Sequence, residues 1–212
     1  MKLTVHTFLT LDGVMQGPGG AEEDTSGGFT RGGWLIPYAD EDMGTIVDSW
    51  FARAEAILFG RTTFELMRSF WPQVTDPDDG AATALNGLPK YVVSSTVEDP
   101  GWSGTTVLTG DALAAVRELK EQPGGELQVH GSAALAASLH AAGLVDEYRL
   151  LVFPVTVGAG KRLFTEDAPP SGFTVVESRM TSAGAAYTAL APAAFTSGEV
   201  TVEDGREVTS TS

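Results

Sequence analysis

Short apolar runs that are followed within two residues by glycine or serine recur along this chain, and they constrain its fold more than any other feature. The runs span residues 56–59, 91–93, 106–108 and 127–130. The first leads into a helix-forming stretch from Arg61, the third into a helix capped by Asp111, and the fourth into a helix that ends near His140. Because parallel strands need crossover connections, this alternation predicts an α/β fold with a mainly parallel sheet covered on both faces.

The N-terminal part opens with one strand and one long loop. Residues 3–9 read as a strand that runs into a tight turn at Asp12 and Gly13. Residues 16–33 are rich in glycine and carry a local acidic run, so we expect a loop with little regular structure. Apolar residues then recur at helical spacing over residues 42–54, which predicts the first helix.

The C-terminal third has a different pattern. Three segments are strand-like with no convincing helix between them, which predicts antiparallel strands added to one edge of the sheet: residues 148–155, 173–178 and 185–190. After residue 191 the chain is polar, and we expect partial disorder or a peripheral strand pairing. We therefore predict one domain over residues 1–191 and a polar C-terminal tail over residues 192–212.

Composition excludes several classes of function. Asp and Glu total 28 against 13 Lys and Arg, for a formal charge of -15, so nucleic acid and anionic membrane would be repelled. The chain has no cysteine, which excludes disulfides and thiolate chemistry. No apolar stretch approaches the ~20 residues of a bilayer span, and the first ten residues lack the pattern of a secretion signal. We expect a cytoplasmic protein that binds neither nucleic acid nor membrane.

Familiar catalytic motifs are absent from the sequence. The three histidines lack the spacing of metal ligands, so no metal is expected. Gly160-Lys161 lacks the flanking residues of a P-loop, and no Gly-x-Gly-x-x-Gly follows a strand. The sequence therefore matches neither a P-loop nucleoside triphosphatase nor a standard Rossmann enzyme.

What remains is a distributed pattern of small, hydroxyl and cationic residues at three strand ends. They are residues 60–63, 94–95 and 131–132. Taken singly, each fits an ordinary turn or helix cap. In open α/β sheets, however, ligands bind beyond the carboxyl ends of parallel strands, where helix N-termini offer N–H groups to phosphate. One shared phosphate-binding pocket therefore accounts for all three together.

Five segments, in this order and spacing, resemble the dihydrofolate-reductase-like superfamily. They are residues 10–14, 57–65, 92–95, 129–132 and 144–164. Within it the chain is most similar to the riboflavin-biosynthesis reductase domain, the C-terminal half of the bifunctional deaminase-reductase, and its stand-alone relatives. The resemblance covers residues 3–191 and implies a three-layer α/β fold with NADPH as cofactor.

The resemblance also implies roles for individual residues. Cofactor phosphates would lie at Gly60, Arg61, Thr62 and Thr63, the adenosine 2′-phosphate near Ser94 and Ser95, and the pyrophosphate near Gly131, Ser132 and Ala133. His130 belongs to the same cofactor-binding set, although a histidine at a strand end is more often structural. Ser132 stands where the family usually has a second glycine and Ala134 where it often has arginine, which weakens the implied preference for NADPH over NADH.

Two acids are catalytic candidates. Asp12 would lie in the loop that crosses the nicotinamide, where it could contact the substrate or a transferred proton. The position of the acid in dihydrofolate reductase falls at Gly44, so folate reduction is not favoured. Asp48 lies one helical turn away and could point toward the same region, but a solvated acid on an acidic helix is the commoner case.

The leading hypothesis is an NADPH-dependent reductase that transfers a hydride to a small heteroaromatic or carbonyl substrate, similar to 5-amino-6-(5-phosphoribosylamino)uracil reductase and dihydrofolate reductase. The main alternative is a non-catalytic protein that binds a nucleotide or small molecule on the same fold. A weaker alternative is a structural subunit whose tail recruits partners. The resemblance further implies a homodimer formed through the later strands.

Overall fold

The computed structural model describes residues 1–211. Its main sheet has eight strands: β1 (Lys2–Thr10), β2 (Ala54–Gly60), β3 (Lys90–Val93), β4 (Thr105–Leu108), β5 (Glu126–Val129), β6 (Glu147–Phe153), β7 (Gly172–Met180) and β8 (Ala186–Ala193). Five helices connect them: α1 (Glu41–Phe51), α2 (Arg61–Phe70), α3 (Gly80–Gly87), α4 (Ala112–Glu121) and α5 (Ala133–Ala141). A separate hairpin follows, formed by β9 (Gly198–Glu203) and β10 (Arg206–Thr211).

The strand order in the main sheet is β4-β3-β2-β5-β1-β6-β8-β7. The pairs from β4 through β6 are all parallel, and β8 pairs antiparallel with both β6 and β7. The predicted α/β fold with a mainly parallel sheet is therefore confirmed. The predicted antiparallel strands at one edge are also confirmed, because β8 pairs with β6 and β7 in this way. On its other side β6 pairs parallel with β1, since α5 carries the chain back across the sheet.

Helices cover both faces of the sheet, as the strand sequences require. In β2, Ile57 and Phe59 face α2 and α3, whereas Leu58 packs in the cluster that includes apolar side chains of α4 and α5. All three of these strand residues are fully buried. Neighbouring residues of a strand point to opposite faces, so a strand buried on both sides has a continuous apolar run rather than an alternating one. This explains why β2 appears in the sequence as an uninterrupted run.

Side-chain caps define where several helices begin. Asp111 accepts hydrogen bonds from the backbone N–H groups of Leu113 and Ala114 at the start of α4, as the sequence predicts. Asp79 caps α3 in the same way, through the N–H of Ala82. The sequence analysis does not anticipate α3, because its eight residues include two glycines and carry little helical periodicity.

The chain continues past the expected domain end at residue 191. β8 runs to Ala193, where it pairs with Gly172 of β7, so the last two residues of this strand fall in the segment assigned to the tail. The hairpin of β9 and β10 is exposed on both faces, in line with the expected peripheral pairing. Over residues 1–211, none of the helices combines the length and apolar character that crossing a bilayer requires.

Candidate functional site

The three strand ends that the sequence singles out lie side by side. β2 pairs in parallel with β3 on one side and with β5 on the other, so the residues that follow these strands emerge at one edge of the sheet. The backbone N–H of Gly60 donates a hydrogen bond to the carbonyl of Gly131 at 3.2 Å, which joins the ends of β2 and β5 directly. Carboxyl ends of parallel strands are where α/β folds bind ligands.

Two helices begin at this edge without a side-chain cap. Gly60 precedes α2 and Ser132 precedes α5, and neither helix receives a capping hydrogen bond from its N-cap side chain. The first N–H groups of both helices therefore keep donors for an anionic ligand. The backbone is also tightly packed here, because a Cβ atom at Gly131 would lie 2.8 Å from Oγ1 of Thr63. The Gly131–Ser132 peptide bond is cis.

A cleft of about 340 Å³ opens above this edge. Six of the residues predicted to bind the cofactor line it: Thr62, Thr63, His130, Gly131, Ser132 and Ala133. Other lining residues come from the start of the long loop, from α2 and from the segment after β6: Met15, Gln16, Gly17, Pro18, Glu23, Asp24, Leu66, Met67 and Lys161. The cleft thus has backbone donors on one wall and a loop as the opposite wall.

A second recess holds three further predicted phosphate contacts, and Gly60 lines neither pocket. Arg61, Ser94 and Ser95 line it together with Thr96 and Gly110. Because Arg61 and Thr62 are consecutive residues of the first turn of α2, this recess adjoins the cleft. Ser94 has a local role as well, since its Oγ accepts hydrogen bonds from the N–H groups of Thr96 at 3.1 Å and Val97 at 3.0 Å.

Arg61 is the cation of this recess. Its side chain is half exposed, and Nη1 lies 3.0 Å from Oε2 of Glu65 one helical turn later. An exposed pair of this kind contributes little to stability, so the guanidinium keeps most of its donors for an anion. The three strand ends therefore supply one cation, several hydroxyls and two helix N-termini to adjoining pockets.

The loop wall of the cleft is held by hydrogen bonds to the segment after β6. Lys161 donates from Nζ to Asp24 at 2.6 Å and to Oγ of Ser26 at 2.7 Å. Gln16 bridges the same two segments, because its Oε1 accepts the N–H of Lys161 and its Nε2 donates to the carbonyl oxygens of Asp24 and Ser26. Burial alone would raise the pKa of Asp24, but the bonds from Lys161 and Ser26 outweigh it and lower that pKa.

Glu23 is the other acid of the cleft. One carboxyl oxygen, Oε2, accepts hydrogen bonds from the N–H groups of Gly19 and Gly20. Burial raises the pKa of this carboxyl. Neither Glu23 nor Lys161 is among the site residues predicted from the sequence, although residues 158–161 could border the substrate or shape a dimer contact. The acidic run within a glycine-rich loop is the available signal for Glu23.

His130 ends a line of buried polar groups that enters the core. Its Nε2 lies 3.1 Å from Oε1 of Gln128, whose Nε2 donates to Oε2 of Glu126 and to the carbonyl of Trp50. Because the amide nitrogen of Gln128 makes both donor bonds, its oxygen is the acceptor and Nε2 of His130 carries the proton. Burial lowers the pKa of His130 to about 3, so the ring is neutral and its Nδ1 can only accept.

Asp12 is not among the residues that line the cleft. Its carboxylate accepts hydrogen bonds from the hydroxyl of Thr10 at 2.6 Å and from the N–H groups of Gly158 at 2.7 Å and Val157 at 3.2 Å. The bond from Thr10 is the main reason that the pKa of Asp12 is lowered. Asp12 is an ionised group that ties the end of β1 to the segment after β6.

Asp48 also lies elsewhere. It lines a separate depression between α1 and α3 with Pro77 and Thr83, and a Cβ atom at Gly80 would lie 3.1 Å from its Oδ1. The reason is α3, which the sequence analysis did not include and which packs on this face of α1. Neither acid chosen from the sequence is therefore among the residues that line the cleft.

Comparison with known proteins identifies the family of this chain. The model of a family described as the RibD C-terminal domain matches residues 1–187. The uncharacterized protein YyaP of Bacillus subtilis (strain 168) is 30% identical over 185 residues, which span 86% of this chain and 90% of that protein.

Two solved structures are similar in fold. A candidate riboflavin biosynthesis protein from Shewanella sp. PV-4 superposes with a TM-score of 0.68 at 21% identity, covering 91% of this chain and 99% of that one. A dihydrofolate reductase from Enterococcus faecalis, solved in complex with NADP(H), gives a TM-score of 0.58 at 13% identity over 90% of this chain and 96% of that one. At these identities the likeness establishes the dihydrofolate-reductase-like fold.

Proposed function

The chain belongs to the RibD C-terminal domain family, a family of reductases, and from this premise we propose that it transfers a hydride from NADPH to a small heteroaromatic or carbonyl substrate. The observation that carries the proposal is the convergence of the ends of β2, β3 and β5 on adjoining pockets.

The residues present fit a phosphorylated dinucleotide. A pyrophosphate needs several donors and a close backbone approach, and α2 and α5 both begin here without a side-chain cap. Gly131 also lets the end of β5 lie close against Thr63, which brings the start of α5 next to the start of α2. Arg61 adds a guanidinium in the recess beside Ser95, where a monophosphate ester would gain charge-assisted hydrogen bonds. These local donors oppose the repulsion expected from the net charge of -15.

In this proposal Thr62, Thr63 and the N–H groups at Ser132 and Ala133 hold the pyrophosphate, while Arg61, Ser94 and Ser95 hold the 2′-phosphate. NADPH, when bound, supplies the hydride. Catalysis then requires the two reacting rings to be held face to face and shielded from water, which needs few catalytic side chains. The loop wall, fixed to the segment after β6 through Gln16 and Lys161, would exclude solvent from the cleft.

The direct test is a fluorescence titration of the purified protein with NADPH and with NADH at low salt. We expect saturable binding of both cofactors with tighter binding of NADPH. An absence of saturable NADPH binding would overturn the proposal.

A second candidate is a binding protein that uses the same pocket without turnover. It is favoured by the positions of Asp12 and Asp48, neither of which lines the cleft. Stopped-flow measurement of NADPH oxidation against pterins, flavins and pyrimidine ribosides separates the two, since a binding protein would hold NADPH and oxidise it with none of them.

A further inference from the structure

An apolar groove of about 440 Å³ adjoins the cofactor cleft. Its walls are α2 and the turn after it, through Leu66, Met67, Phe70 and Trp71, and the loop from Gly19 to Glu23. The groove and the cleft share three lining residues, Glu23, Leu66 and Met67, so the two pockets lie next to each other.

The groove is chemically one-sided. The indole N–H of Trp71 donates to Sδ of Met67 at 2.8 Å, so this wall presents apolar surface. The charged residues that line the groove are Glu22 and Glu23, with neither lysine nor arginine among its lining residues. A phosphate in this groove would meet two carboxyls and no cation. A neutral or cationic flat ring would instead lie between apolar walls and could make a hydrogen bond to the carboxyl of Glu23.

Glu23 has a single free oxygen at the junction of the two pockets. Oε2 is occupied by the N–H groups of Gly19 and Gly20, whereas Oε1 makes no hydrogen bond with any other group in residues 1–211. A proton taken up by this carboxyl would therefore sit on Oε1, because Oε2 already accepts two donors. Burial, together with the neighbouring charge of Asp24, raises the pKa of Glu23, which favours that protonated form.

The other titratable groups around the cleft cannot deliver a proton in this way. Asp24 is ionised and paired with Lys161 at 2.6 Å. His130 gives its Nε2 proton to Gln128 and keeps an unprotonated Nδ1. The remaining neighbour, Glu22, is exposed on the loop, and the residues of α2 that face Glu23 are apolar.

We propose that the groove binds an unphosphorylated flat ring carrying one C=N or C=O group, and that Oε1 of Glu23 donates the proton that completes its reduction. The inference rests on the proposed reductase function. Hydride adds to the carbon of the double bond, the electron pair of the π bond moves to the nitrogen or oxygen, and that atom takes the proton from Oε1. Glu23 then regains a proton from water through the open groove.

Binding selectivity tests the groove without any turnover. The probes are 4-methylumbelliferone and 4-methylumbelliferyl phosphate, which differ only in the phosphate, titrated at pH 6.5 into protein saturated with NADP⁺. We expect the phosphate to bind at least about ten-fold more weakly because of the exposed carboxylate of Glu22 and the lack of a cation among the lining residues. The Glu22→Gln variant should narrow this ratio, and the Glu118→Gln variant, which removes the same charge on exposed α4, should leave it unchanged. Equal or tighter binding of the phosphate, or no binding of either probe, would overturn the proposed specificity.

Turnover tests the proton donor. The probe is the flat bicyclic ketone 1-indanone, whose carbonyl does not titrate in this range and whose reduction needs a proton on oxygen, with NADPH oxidation followed from pH 6 to pH 9. We expect Glu23→Gln to lower kcat about 100-fold or more, to remove the loss of activity at high pH, and to leave NADPH affinity and Tm unchanged. Glu118→Gln should match the unsubstituted protein. The proton-donor role would be contradicted if NADPH binds without being oxidised, or if Glu23→Gln has the same kcat as the unsubstituted protein. A failure of NADPH to bind at all would instead contradict the proposed reductase function.

Discussion

Ser132 occupies the space beside Gly60 that any β-carbon at position 60 would need. A Cβ built there would overlap Oγ of Ser132 and lie 3.1 Å from its Cβ and 3.3 Å from its backbone nitrogen. We expect Gly60→Ala to displace the turn at residues 131–133, to lower the free energy of unfolding by about 1–3 kcal/mol and to weaken NADPH binding. Urea unfolding and cofactor titration measure the two effects.

Two further variants isolate the cause. Ser132→Ala in the Gly60→Ala background removes the overlapping Oγ and should recover part of the lost stability, while the contact with Cβ remains. Gly44→Ala is the matched control, because a Cβ at Gly44 in α1 meets no atom within 4 Å. It should instead stabilise the protein by about 0.5–1 kcal/mol, the usual gain for glycine to alanine inside a helix. Destabilisation by Gly44→Ala, or no rescue by Ser132→Ala, would contradict this account.

Arg61 should discriminate between the two nicotinamide cofactors. Its guanidinium lies in the recess with Ser94 and Ser95, apart from the main cleft, so it can contact a 2′-phosphate without touching the rest of a dinucleotide. We expect Arg61→Gln to weaken NADPH binding about ten-fold or more and to change NADH binding little, since a charge-assisted hydrogen bond contributes about 1.5–3 kcal/mol. Arg117→Gln, on the exposed surface of α4, makes the same charge change and should have no such effect. An equal loss for both cofactors would assign Arg61 a different role.

Much of the parallel sheet follows from the sequence because β2, β3 and β5 are short and each ends at or near a glycine or serine, namely Gly60, Ser94 and Gly131. What the sequence does not contain is the order of the strands in space. β6 is strand-like in either orientation, and its pairing with β1 depends on where α5 returns the chain. α3 was missed for a local reason, since its glycines and its short length give no helical signal.

The candidate site likewise has features that the sequence predicts and features that it does not. Backbone donors at strand ends are predictable, because they follow from the local sequence at residues 60–63 and 131–133. The acids are not, because the environment of a carboxyl depends on distant segments: Asp12 is held by Gly158, and Asp48 faces α3. Glu23 becomes notable only when the long loop closes against α2 and leaves one of its oxygens free.

Truncation tests where the folded domain ends. β8 continues to Ala193, and its last two residues, Pro192 and Ala193, pair with Phe173 and Gly172 of β7. A chain that ends at Ala194 lacks residues 195–212, which include the exposed hairpin, and should keep the Tm and the NADPH affinity of the full chain. A chain that ends at Ala191 loses these two pairings. It should unfold at a lower temperature, because each lost hydrogen bond lowers the free energy of unfolding by about 1 kcal/mol. Equal Tm values for the two truncations would place the domain boundary at residue 191. The mass in solution of the chain that ends at Ala194 would test whether the protein forms a homodimer.

Buried histidines should make the protein sensitive to mild acid. His6 and His130 stack with ring centroids 5.0 Å apart, and burial lowers the pKa of both, that of His130 to about 3. Below the unfolded value of about 6.5, the unfolded chain binds a proton that the folded chain refuses, so stability is complete above that pH and declines as the pH falls toward 3. Each histidine contributes a slope of about 1.4 kcal/mol per pH unit in this window. We expect the free energy of unfolding in urea to fall between pH 7.5 and pH 5.5 in the unsubstituted protein. In His130→Phe this fall should be smaller by the contribution of one histidine. An unchanged slope, or an NMR titration of the ring of His130 near pH 6.5, would show that the ring is not held neutral by burial.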